Sequence, residues 1–356
     1  PEKDMAPAAP RGKVYRPNPK RSSANALGAL CGRGVDQSTP RPPSTIQREV
    51  TMQITMQPVK RKRRPTLVPL MYLLPAVLLV VVFVYYPVVN NLWLSLFRWS
   101  AFSPQDIWVG LGNYQALMKD SIFWTGIRNN VAYAVVSLIF QVGGAMVLAA
   151  ILEEAFVRRF RVFFRTVYFL PAVISMTVVG LLFTFLYDPQ MGLIDQLLTV
   201  TGHASWVRAW LGNERTAIWA IIAMSQWQSI GYITLLFVVA MQRIPRELYE
   251  AAAMDGANGI RIFFQITVPL VREMTLLASI ITVSGAFMVF NEVMVTTQGG
   301  PNNASHVLAT WMYQSAFMND QMGYASAIAT IIFLITFGLA IVQLWIGRSG
   351  QTVGTA

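Results

Sequence analysis

Six long stretches of this chain contain no Asp, Glu, Lys or Arg: about 65–97, 129–152, 166–187, 216–242, 274–291 and 321–347. A run of about 20 predominantly apolar residues is long enough to cross a bilayer as a helix. With no water there to take up free backbone groups, a helix is the form open to a single segment. The chain is 54% hydrophobic and only 13% charged, roughly half the usual charged share. It therefore reads as an all-α membrane protein with six transmembrane helices. A cleaved signal peptide competes for the first stretch, which follows a basic cluster. That stretch is too long for one, and Val82-Phe83-Val84-Tyr85-Tyr86-Pro87 offers no small-residue cleavage site.

The net charge of +11 belongs to one end of the chain. Residues 1–64 hold 14 Lys and Arg against four acids, and the other 292 residues hold 14 against 13. A nucleic-acid protein spreads its basic residues over a folded surface, so that class is excluded. Residues 1–64 are rich in Pro, Ser, Arg and Lys and end in Lys60-Arg61-Lys62-Arg63-Arg64, a composition that predicts a disordered basic tail. Its charge either sets topology or contacts anionic headgroups; Met52 and Met56, just before the basic cluster, leave a later start open. The single cysteine, Cys31, excludes an internal disulfide. With His203 and His306 far apart, no metal site of the Cys/His kind is expected.

Cytoplasmic loops carry an excess of Lys and Arg. Placing residues 1–64, 153–165, 243–273 and 348–356 on one side collects 23 of them, against Arg98, Lys119, Arg128, Arg208 and Arg215 on the other. Both termini are thus expected in the cytoplasm, with a short tail at 348–356.

The segment 243–273, between spans four and five, carries eight charges where a few residues would join two helices. Pro245 suits a helix start, Arg246 to Met254 are mostly good helix formers, and Gly256 permits a sharp reversal. A second short helix is expected around Ile260–Thr267, stopped by Pro269. The run Ala251-Ala252-Ala253 keeps one face slim enough to sit in a groove, while Glu250 and Asp255 offer carboxylates to a partner's arginines. An amphipathic helix lying on the bilayer, with Leu248, Tyr249, Ile262, Phe263 and Phe264 dipped into headgroups, is the alternative on composition alone.

The order of residues separates the two. Glu250-Ala251-Ala252, three residues, Gly256, nine residues, Ile266, one residue, then Val268-Pro269 resembles the EAA signature of permease subunits in binding-protein-dependent ABC importers, with Val268 in place of leucine. Asp255-Gly256-Ala257 and Phe263 look like the carbohydrate branch of that family. Trp227, Gly231 and Tyr232, the run Gln242-Arg243-Ile244-Pro245, Gly192-Leu193-Ile194-Asp195 and Gly323-Tyr324-Ala325-Ser326-Ala327 are similar to it as well. Thr297-Gln298-Gly299-Gly300-Pro301 resembles the maltose-type or glycerol-phosphate-type permease. The resemblance covers about residues 70–347.

It implies a type I importer permease that works with a second permease subunit, two cytosolic ATPase subunits and an extracytoplasmic substrate-binding protein. The chain contains no Gly-x-x-x-x-Gly-Lys-Ser/Thr loop, so ATP and Mg are expected on the partner ATPases and no cofactor on this chain. Glu250, Ala251, Ala252, Asp255, Gly256, Ala257 and Pro269 are the expected coupling residues. For the substrate path, Trp227, Gln228, Ser229, Tyr232 and Asn291 are the candidates, because dehydrated sugar hydroxyls need hydrogen-bonding groups and sugar faces pack on rings. Span polar groups also bond neighbouring helices, which is the competing role. Glu292 is expected to be a substrate-path group or a plain outer-end charge, and Gly143-Gly144 to permit close helix packing. The absence of charge within the spans argues against a proton- or sodium-coupled carrier and favours neutral sugars over sn-glycerol 3-phosphate. A stand-alone channel or carrier, and a membrane scaffold whose loop docks an unrelated enzyme, are the other classes.

Overall fold

A computed structural model describes residues 67–102, 106–154 and 160–349. The basic tail expected over 1–64, Arg158 and Arg159, and residues 350–356 lie outside these; the last helix runs on to Ser349, past the expected boundary at 347. The elements, in order, are α1 (Met71–Leu94), β1 (Phe97–Arg98), β2 (Ile107–Trp108), α2 (Gly112–Lys119), α3 (Ser121–Glu153), α4 (Arg161–Val173), α5 (Met176–Leu186), α6 (Leu193–Val200), α7 (Ala217–Met241), α8 (Arg246–Met254), α9 (Gly259–Leu270), α10 (Arg272–Phe287), α11 (Asn291–Thr296), α12 (Leu308–Tyr313) and α13 (Met322–Ser349).

Four helices, α1, α3, α7 and α13, are long and apolar enough to cross a membrane alone. The bent pairs α4–α5 and α9–α10 bring the number to six. The third expected span, 166–187, is therefore not one straight helix: it turns by 96° between Val173 and Met176. Pro171 cannot donate its backbone nitrogen, and Ile174 and Ser175 adopt extended angles. The second span begins earlier than 129, because Asp120 caps α3 by accepting from the Ile122 N–H at 2.8 Å, so Arg128 lies inside the helix. Pro269 does not stop its helix either. A π-helical turn over Phe263–Thr267 precedes it, α9 runs to Leu270, and the 73° bend falls at Val271.

The short ladder pairs Phe97 with Trp108 and Arg98 with Ile107, and the rings of Trp93, Phe97 and Trp108 pack on one another 4.9 to 5.6 Å apart. Asn91 on α1 donates to Ser326 O and Thr330 Oγ1 of α13, joining the first and last spans. Asp120 accepts from Trp311 Nε1 at 2.8 Å and from the Tyr324 hydroxyl, so one carboxylate ties the start of α3 to α12 and α13.

Two apolar clusters fill the bundle. One gathers Phe123, Ile221, Ile222, Met224, Val283, Phe287 and Leu308; the other gathers Val142, Ala145, Ala149, Ile233, Phe237, Val271 and Ala278. Between these clusters α3 carries Ser137 and Gln141, α7 carries Ser225, Gln228 and Ser229, and α10 carries Ser279 and Thr282. Close helix approach occurs where α4 meets α7: a Cβ on Gly231 would overlap the Tyr168 carbonyl oxygen. The expected pair Gly143-Gly144 has more room, since added Cβ atoms would meet nothing nearer than 3.7 Å. Gly231→Ala should thus force α4 and α7 apart and lower stability by about 1–3 kcal/mol, read as a fall in thermal midpoint of the detergent-solubilised protein. Gly144→Ala should leave that midpoint unchanged.

A polar cleft and an exposed elbow

Two features stand out against this frame. The first is an open cleft of about 320 Å³ walled by α3, α4, α7, α10 and α11. Tyr133, Ser137 and Gln141 recur every fourth residue of α3, which puts them on one face. Ser225, Gln228, Ser229 and Tyr232, three and four residues apart, share one face of α7, and Thr282 and Glu292 complete the polar lining. Thr282 Oγ1 is buried without a hydrogen-bond partner among the described residues, and the Tyr133 hydroxyl, also buried, has only the Ser225 hydroxyl beside it.

Of the five residues expected on a substrate path, Gln228, Ser229 and Tyr232 line this cleft. Gln228 also donates from Nε2 to the Ile174 carbonyl at 2.9 Å, satisfying a backbone group freed by the break between α4 and α5. Trp227 points elsewhere, packing on Phe183 of α5 at 5.5 Å. Asn291 is exposed at the first turn of α11, and its neighbour Glu292 reaches the cleft instead. Sequence reasoning missed Tyr133, Ser137, Gln141, Ser225 and Thr282, although the four-residue recurrence of polar side chains in α3 was the signal.

The second feature is α8. Asp255 N donates to Ala251 O at 3.0 Å, Gly256 N to Ala253 O at 3.1 Å, and Ala257 N to Ala252 O at 3.0 Å. With Gly256 at φ +77° this closes a Schellman turn, whose left-handed position favours glycine. No atom lies within 4 Å of a Cβ placed on Gly256, so the requirement is conformational rather than one of space. Asn258 then caps α9 by accepting from the Arg261 N–H. Glu250, Ala251, Asp255 and Gly256 are exposed, Ala252 and Ala257 partly so, and Pro269 is exposed within the last turn of α9. Tyr249 OH and Thr267 Oγ1, 3.2 Å apart, hold α8 against α9. At the same end of the bundle, Glu153 accepts from Arg165 Nη2 at 3.1 Å and Gln242 Nε2 at 3.0 Å, fastening the ends of α3 and α7 to the start of α4.

At the other end, the loop 297–307 is knitted into the bundle. Asn129 donates to the carbonyls of Ala304 and His306, both at 2.8 Å, and Asn130 bridges Ala286 O and Leu308 N. Gly299, at φ +90°, lies against the His306 ring, where a Cβ would overlap the imidazole. Burial holds the His306 pKa below its ordinary value, and its Nδ1 faces Thr310 Oγ1 at 3.1 Å.

The chain belongs to the family of binding-protein-dependent transport system inner membrane components, whose model matches residues 141–349. It is 51% identical to the probable ABC transporter permease protein YurN of Bacillus subtilis, over 80% of this chain and 97% of that one. It is 31% identical to the arabinooligosaccharides transport system permease protein AraP of Halalkalibacterium halodurans, over 78% and 87%. A bacterial ABC transporter that imports the acidic polysaccharide alginate shares the fold, with a TM-score of 0.69 at 21% identity over 79% and 95% of the two chains.

The His306 loop carries a pH prediction. Because the folded state disfavours the imidazolium, the unfolded chain binds the extra proton more readily below about pH 6.5. The stability this group contributes is present above that pH and lost as pH falls through it. Thermal unfolding followed from about pH 7.5 to about pH 5.5 should show the wild-type midpoint falling more steeply than that of His306→Gln.

Proposed function

We propose that this chain forms one half of the path by which an ATP-driven importer moves a sugar into the cytoplasm, the other half coming from a second permease subunit. The observation that carries the reading is the cleft. Its hydroxyls and amides, together with the rings of Tyr133 and Tyr232, suit a solute that presents many hydroxyl groups and apolar C–H faces. The Thr282 hydroxyl, without a partner among the described residues, and the hydroxyls of Tyr133, Ser225 and Ser229 supply hydrogen bonds that a dehydrated sugar needs. The arabinooligosaccharide permease among the relatives points to the same class.

In this reading α8 faces the cytosol and lies in a groove of one of two ATPase subunits, with Glu250 and Asp255 meeting basic side chains there. Closure of the ATPase pair moves α8, and with it the spans, between inward-facing and outward-facing states. An extracytoplasmic receptor delivers the sugar at the opposite end. Both termini are cytoplasmic. The positive-inside count and the free standing of α8, where Met254 is 89% exposed, support this orientation.

Two experiments test it. In a cysteine-free background (Cys31→Ser), a membrane-impermeant maleimide should label Val200→Cys on intact spheroplasts. Met254→Cys should be labelled only after permeabilisation and be protected when the ATPase subunits are present. In proteoliposomes holding the full importer and receptor loaded with a neutral oligosaccharide, Glu250→Arg and Gly256→Leu should each lower stimulated ATP hydrolysis at least about tenfold, the factor that corresponds to about 1.4 kcal/mol. Membrane insertion should be unchanged. Full stimulation in both variants would sink the coupling role.

A further inference from the structure

The charge-free run of the fifth span ends one residue before Glu292, and the fold brings that residue back into the bundle. After α10 ends at Phe287 the chain turns, and α11 packs its six residues against α5 and α7. This returns the Glu292 side chain to the wall of the cleft. Among the described residues lining it there is no Lys, Arg or His, and the ion pair Arg165–Glu153 belongs to the far end of α7. The cleft therefore presents one carboxylate with no counter-charge. The same cleft is lined by the rings of Tyr133 and Tyr232, by the buried Tyr133 hydroxyl beside Ser225, and by Thr282 Oγ1, which has no partner among the described residues. Tyr133 is 2% exposed and Thr282 5%, so neither hydroxyl is turned to solvent.

We infer that the cleft takes a sugar carrying a protonated amine, with Glu292 as the group that selects the ammonium. This rests on the reading of the cleft as a sugar path and narrows its substrate class. A carboxylate in a partly desolvated wall attracts a cation far more strongly than it would in water, and it forms its stronger hydrogen bonds to charged donors. Ring faces favour an ammonium as well. The same charge repels uronates and phosphate esters, for which the cleft lining offers no basic side chain. Neutral sugars would find the hydroxyls but leave the carboxylate without a counter-ion.

The test uses the purified complex of this chain with its second permease and ATPase subunits in nanodiscs of zwitterionic lipid, without the receptor, so that the receptor's own selectivity plays no part. Ligand-observed saturation-transfer NMR compares glucosamine, N-acetylglucosamine, glucose and glucuronate against empty nanodiscs. Glucosamine should give the strongest signal and glucuronate none. Glu292→Gln should weaken glucosamine binding by roughly tenfold or more while leaving the glucose signal in place, and Glu292→Asp should retain part of the preference. Assembly of both variants with the ATPases, checked by gel filtration, separates selection from folding. Equal signals from glucosamine and glucose in the wild type, or a preference that survives Glu292→Gln, would overturn the inference and leave the sugar path standing. Silence from all four sugars would remove the sugar path along with it.

Discussion

Backbone groups inside a bilayer have no water to turn to, and this chain breaks its helices at several points where that cost falls due. The Gln228 amide meeting the Ile174 carbonyl at 2.9 Å is the interaction on which the architecture turns. Without it, the 96° bend between α4 and α5 would leave a partly buried carbonyl without its helical partner. With it, α5 swings aside and α11 can pack beside it. A related solution holds the loop 297–307, where Asn129 donates to the loop carbonyls of Ala304 and His306, and Asn130 donates to Ala286 O in the last turn of α10 while accepting the Leu308 N–H. Side-chain amides thus do in the breaks what the helix ladder does elsewhere.

This accounts for the dual character of Gln228. The residue lines the cleft and also closes the broken span, so its conformation is held by a backbone bond before any solute arrives. Ser229 and Tyr232, one and four residues further along α7, inherit that fixed geometry. On the proposed reading of the cleft as a solute path, such residues are preorganised, and little of their side-chain freedom would remain to be lost on binding.

The number of spans, their order and the elbow between the fourth and fifth were legible in the sequence, since absence of charge over about 20 residues has few physical explanations. What escaped were the features that hydropathy does not register. The bend after Pro171 lies among uncharged residues, and a sliding count of charges passes straight over it. The early start of α3 was hidden because Arg128 interrupts the charge-free run, although Asp120 stands at the capping position eight residues before. The Gly143-Gly144 pair suggested a close crossing on composition, whereas the tight contact falls at Gly231, which only the partner carbonyl of Tyr168 identifies. For the cleft, the counted spans excluded Glu292 by a single position, and the Tyr133, Ser137, Gln141 recurrence became meaningful only once α3 was seen to face α7 and α10.

The joint at Val271 decides how movement of the elbow is passed on. A loose hinge would absorb displacement of α8, but Val271 is 2% exposed, its N–H bonds to Thr267 O at 3.0 Å, and its carbonyl accepts from Thr275 N at 2.9 Å. The bend is therefore pinned on both sides and packed into the second apolar cluster with Ala278 and Met241. On the elbow side, the Tyr249–Thr267 contact clamps α8 to α9; on the other side, Thr282 carries α10 into the cleft wall. α8, α9 and α10 together form a bent lever with a stiff angle, one arm exposed beyond the bundle and the other lining the cleft. If a partner displaces α8, the packed bend at Val271 is where that displacement would pass to the lining arm, because packed cores resist continuous deformation.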